Sequence, residues 1–152
     1  MASQPIKRAE ELQGVSRDHH HALLLCWKIN QGIKKDIEPE RIQKYIHWFR
    51  KEHLVPHFEI EEKWMFPVLD NQDKKVLRAI HEHVNLLKLS LSASDHHDMQ
   101  IFSDRLKDHI RFEERVLFQE IQKVATQEEL QLIQEHHKEE KFCERTEDEF
   151  WL

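Results

Sequence analysis

The stretch HFEIEEKWMFP at residues 57–67 returns 52 positions later as HIRFEERVLFQ. Both copies place a glutamate four residues after a histidine (His57 and Glu61, His109 and Glu113), with a second glutamate beside it (Glu62, Glu114) and an apolar tail in which Phe66 matches Phe118. On an α-helix, residues i and i+4 project from one side about one turn apart, so an imidazole and a carboxylate at this spacing can reach a common centre. A second match has an offset of 64: Asp18, His19 and Leu23 of DHHHALL fall over Glu82, His83 and Leu87 of EHVNLL. The chain therefore reads as a helix pair used twice. Closed about a pseudo-twofold axis, it brings four imidazoles (His19, His57, His83, His109) and two carboxylates (Glu61, Glu113) to one level of a core. Two glutamates buried without partners would cost several kcal/mol each or be forced to protonate, so a cation is needed to neutralise and coordinate the set. No thiolate joins it, which disfavours a structural zinc cluster, and mixed nitrogen and oxygen ligation suits iron, manganese or zinc. Two bridging carboxylates with two histidines on each side describe a pair of metals.

Helices must carry these residues. From Ala9 to about Gly32, Leu12, Val15, Ala22, Leu23, Cys26, Ile29 and Ile33 recur at helical spacing, with His19 on the same stripe. Pro39 suits the first turn of a second helix, whose inner face is read as Ile42, Ile46, Phe49, His53, His57, Ile60, Glu61 and Trp64. Pro56 inside it should remove one hydrogen bond and kink the rod next to His57. LDNQDKK supplies capping residues for a third helix, with Val76, Ala79, Ile80, His83, Leu87 and Leu91 inward. After SASDHHD a fourth places Met99, Phe102, Leu106, His109, Phe112, Glu113 and Val116 on one face. Thr126 and Glu129 have capping-box spacing and open a fifth, shorter element that runs into QEHHKEEKFCER. The expectation is an all-α fold, an up-down-up-down four-helix bundle with a short fifth C-terminal helix. It forms a single domain over 1–152, with a core of about 9–122 and an appendage of about 126–150.

Composition agrees. Two glycines and four prolines in 152 residues starve tight β-turns, while Glu, Lys, Gln, Leu and Ile favour helices. A net charge of −6, with basic residues scattered among acidic ones, leaves no footprint for nucleic acid and no polybasic anchor for lipid. No apolar run has the length of a signal peptide or of a membrane span, and the chain is read as soluble and cytoplasmic. Cys26 and Cys143 form no CxxC and are read as packing thiols. Trp27, Trp48 and Trp64 are assigned to the core. Of the 13 histidines, His20, His21, His47, His96, His97, His136 and His137 are assigned to the surface, and the tail ERTEDEF to a solvated end. Glu62 and Glu114 are placed where they can hold a ligating imidazole by its other nitrogen.

From Leu12 to Gln122 the chain resembles the hemerythrin-like (HHE cation-binding) domains, through the DH of the first helix, HFEIEE…MFP, HEH and HIRFEERVLF in that order. The resemblance implies two iron ions with a bridging oxygen species, ligated by His19, His57, His83 and His109 and bridged by Glu61 and Glu113. It further implies that Phe58, Leu106 and Ile110 wall a pocket for a small diatomic ligand, dioxygen or nitric oxide. Oxygen-carrying members have a His-x-x-x-His pair on the third helix. Here Ala79 and Leu87 flank His83 at that spacing, so a fifth histidine would have to come from His53, one turn before His57, or less easily from His81.

The function expected is a non-haem di-iron protein that senses, carries or stores the diatomic ligand. No residue pattern marks a proton relay or an organic-substrate cleft, which favours binding over turnover. The alternatives are a di-iron enzyme (oxidase, peroxidase, nitric oxide reductase, or iron donor for iron–sulfur repair) and a regulatory module whose fold depends on iron.

Overall fold

The computed structural model describes residues 7–137 and 142–152. Among them the regular structure is helical and no strand occurs. Helix α1 spans Gln13–Lys34, preceded by a 3₁₀ turn at Glu10–Leu12. It ends where Asp36 takes φ 54, a left-handed conformation that a short polar side chain tolerates, and Ile37 N–H closes the turn on the Gly32 carbonyl. The second rod is built from α2 (Pro39–Phe49), a π-helical turn (Arg50–Leu54), α3 (Val55–Ile60), a second π turn (Glu61–Met65) and a 3₁₀ turn (Phe66–Val68). Pro56 sits in the first turn of α3, directly after the first π turn. That turn is closed by Val55 N–H on the Arg50 carbonyl, five residues back.

Asp73 caps α4 (Lys74–Ser92) and Asp95 caps α5 (His96–Phe112), each through its carboxylate at 2.8 Å from a backbone N–H. A third π turn (Glu113–Leu117) joins α5 to α6 (Phe118–Val124). Thr126 and Glu129 form the expected capping box of α7 (Gln127–His136). Residues 138–141 of the polar run after α7 lie outside the described residues.

α1 packs on α5 and α2, α4 on α5 and α2, and α7 on the turns at Glu10–Leu12 and Glu61–Met65. The buried apolar residues form two clusters, one around Cys26, Phe58, Leu86, Phe102 and Ile110, the other around Leu12, Val15, Met65, Phe112 and Phe118. The tail ERTEDEF, residues 144–150, is not the solvated end expected. Phe150 and Trp151 are buried, Arg41 holds Asp148 through two bonds of 2.7 and 2.9 Å, and Lys28 joins Tyr45 and Glu144 in one network.

The periodic reading needs other corrections. Leu23, Leu91 and Val116 are exposed, while Leu25 and Leu86 take core positions. Trp27 is 50% exposed, and Cys143 is exposed rather than packed. No described helix is long and apolar enough to cross a membrane.

Candidate metal centre

Between the two apolar clusters lies a polar layer made by the six residues of the double repeat. His19, His57, Glu61, His83, His109 and Glu113 are all buried, and both glutamates are fully so. They form two groups that share the glutamates: His19, His57, Glu61 and Glu113, and Glu61, His83, His109 and Glu113. In each group one donor atom per residue lies within 4.8 Å of the others. The inward imidazole–carboxylate separations run from 3.0 to 3.6 Å. Both glutamates are the first residue of a π turn, a feature that sequence periodicity does not encode. The extra residue in each turn re-aims the side chains after it, so that Phe118 stacks on His19 at 5.1 Å and Phe66 on His83 at 5.6 Å.

Three of the four imidazoles are hydrogen-bonded from behind by a carboxylate, and a fourth carboxylate lies behind His19 without bonding it. His57 Nδ1 donates to Asp18 at 2.9 Å, His109 Nδ1 to Glu82 at 2.7 Å and His83 Nδ1 to Glu62 at 2.9 Å, while His19 Nδ1 lies 3.4 Å from Glu114. Such partners fix which ring nitrogen faces the centre and make it a better donor. Glu62 and Glu114 lie where the sequence puts them. Asp18 and Glu82 do the same work and were missed as holders, although each directly precedes a histidine of the set.

The charge balance comes from these carboxylates. Burial alone would push the imidazoles down, but the surrounding carboxylates outweigh it: His57 is lifted to about 9, and His19, His83 and His109 also rise. Burial pushes Glu61 and Glu113 up, and the charge on Glu113 adds to this at Glu61, yet the imidazoles hold both below the ordinary carboxylate value. The metal-free core thus balances two carboxylates with protons on the rings, and a divalent cation would replace those protons.

The donor set fits a pair of cations. Nε2 of His57, His83 and His109, both oxygens of Glu61 and Oε2 of Glu113 are buried with no hydrogen-bond partner among the described residues. Buried polar atoms left this way cost about 1–3 kcal/mol each unless something occupies the space between them. His53 and His81 join neither group. His53 faces the rings of Trp48, Phe49 and Phe142, and His81 is exposed beside Asn85. Phe58 stacks on His83 with ring centroids 3.7 Å apart, and Leu106 and Ile110 are buried in the same apolar cluster.

Contrary to expectation there is a cleft. Among the described residues it has a volume of about 1370 Å³ and reaches Asp18 and His57, with His53, Trp64, His137 and Phe142 also in its wall. His137, assigned to the surface, is half-buried and donates through Nε2 to Asp18 at 2.8 Å.

Residues 10–121 match a family model described as Hemerythrin HHE cation binding domain. No curated protein and no solved structure matches the chain.

Proposed function

Because the chain belongs to the hemerythrin family of HHE cation-binding domains, we propose that its polar layer holds two iron ions and takes a small diatomic ligand, dioxygen or nitric oxide, for sensing, carriage or storage. The observation that carries the reading is the pair of His₂Glu₂ groups sharing Glu61 and Glu113, with six buried donor atoms left without partners. His19 and His57 would hold one ion and His83 and His109 the other, with Glu61 and Glu113 available to both. Manganese or zinc suits the same donors. The arrangement is an up-down-up-down four-helix bundle within a single domain, with α7 as a fifth helix.

Bound iron would supply the electrons for diatomic ligand binding. The chain's own residues do the rest. Asp18, Glu82 and Glu62 keep Nδ1 of His57, His109 and His83 engaged so that Nε2 of each points inward, and Glu114 lies 3.4 Å behind Nδ1 of His19. Phe58, Leu106 and Ile110 exclude water from one side, which slows loss of charged products into solvent. The test is an optical spectrum of anaerobically prepared ferrous protein before and after air. A new visible charge-transfer band that reverses under vacuum supports carriage or storage, irreversible oxidation points to sensing or turnover, and no change on exposure to dioxygen or nitric oxide contradicts the reading.

One observation favours a second reading, a di-iron enzyme of the oxidase, peroxidase or nitric oxide reductase type. The cleft beside Asp18 and His57 is large enough for an organic reductant. Turnover with a small phenolic or thiol reductant would separate it from pure ligand binding.

A further inference from the structure

The two outer carboxylates Asp18 and Glu82 are equivalent under the 64-residue offset but are held by different residues. Glu82 accepts from His109 at 2.7 Å and from Arg78 Nε at 3.0 Å, one turn earlier on α4. The position that the offset pairs with Arg78 is Gly14. A methyl group at Gly14 would meet Nδ1 of His137 at 2.8 Å and Cε1 at 2.9 Å, so the missing side chain is what lets that imidazole lie against α1. From this seat His137 Nε2 donates to Oδ2 of Asp18, the same oxygen that accepts from His57 Nδ1. Gly14 stands in the first turn of α1 and is one of only two glycines in the chain. His137 is also anchored: it follows α7, whose capping box starts the helix and whose Leu130 and Ile133 are buried with Leu12 and Val15.

We infer that His137 is a positioning residue for the His19–His57 half of the centre, standing where the other half uses Arg78. It fixes Asp18, and through Asp18 the ring orientation that aims His57 Nε2 at Glu61, 3.3 Å away. α7 is then a working part of the site. The inference rests on the reading that His57 ligates a cation.

The test is a titration of the full metal-free chain with Co²⁺, followed by calorimetry and by the visible absorption of the bound ion. The wild-type chain takes two cations. His137→Ala is expected to weaken one of them about tenfold, at the low end of the effect of losing such a partner, and to leave the other unchanged. His137→Gln, which keeps an N–H donor at similar reach, restores most of the loss. Gly14→Ala keeps every side chain of the centre but drives a methyl into the ring, and reproduces it; this variant decides the matter if His137→Ala does not fold. Wild-type affinity at both ions in His137→Ala and Gly14→Ala, equal weakening of both ions, or a failure of glutamine to restore what alanine loses would overturn the inference while leaving the two-cation reading intact. Fewer than two cations in the wild-type chain would overturn that reading and the inference with it.

Discussion

The half of the centre built by His19 and His57 and the half built by His83 and His109 present the same atoms inward and differ outside. Behind His109 stands Glu82, tied to Arg78 on its own helix, and over His83 lies Phe58 in face-to-face contact at 3.7 Å. Behind His57 stands Asp18, tied to His137 from α7, and beside it opens the cleft. The inner repeat supplies a symmetric cage of donors, suited to the proposed pair of cations. Divergence outside it gives the two halves different supports and sets the cleft against His57. Symmetry therefore tracks the inward donors, and asymmetry tracks what holds them.

The shared glutamates give the strongest way to break this comparison. Glu61→Ala or Glu113→Ala removes a donor common to both groups, and on the proposed reading elemental analysis should show both cations lost. His57→Ala or His109→Ala should lose one each. A Glu61→Ala chain that keeps one cation at full affinity would mean that the halves are independent.

Metal removal comes next. A cation at about 1,000 times its dissociation constant adds about 4 kcal/mol to stability, so chelation of two should lower Tm by on the order of 20 °C. Calorimetric scans with and without chelator measure this.

The pH dependence sharpens the contrast between metal-free and loaded states. His57 is raised to about 9, above its ordinary 6.5. In the metal-free protein its contribution to stability is fully present below about pH 6.5 and is lost as pH rises through about 9. Cations need the neutral ring, so their affinity should rise over that same window, with protons released on binding. Metal-free stability that increases from pH 7 to 9 would contradict the charge balance assigned to the core.

The smallest effect is expected at Arg78→Ala. Its pair with Glu82 is more than half exposed on the arginine side, and such i,i+4 pairs contribute about 0.3–0.5 kcal/mol. Cation affinity at the His83–His109 half should fall no more than about twofold, less than the loss expected at the other half from His137→Ala.

Four of the six inner residues could be read from the sequence because a histidine and glutamate one turn apart leave a local mark that is written twice, and His19 and His83 from the second match at an offset of 64. The capping residues Asp73 and Thr126 were legible for the same local reason. What escaped depends on contacts between distant segments. His137 reaches Asp18 across 119 positions, and Phe150 and Trp151 are buried by a segment with no periodicity. The exchange of Leu23 and Leu91 for Leu25 and Leu86 has another cause: a rod that touches several neighbours buries a broader face than a single 3.6-residue stripe describes. The π turns beginning at Glu61 and Glu113 are set by hydrogen bonding along the built helix, and no residue type announces them.

The central claim is that each copy of the repeat supplies half of one two-cation cage. Anaerobic titration of the metal-free chain with Fe²⁺, read as equivalents bound per chain, tests it most directly. Two equivalents in the wild-type chain, one in His57→Ala and none in Glu113→Ala are predicted. A wild-type chain that binds no iron, or that binds one equivalent unaffected by Glu113→Ala, would contradict the account.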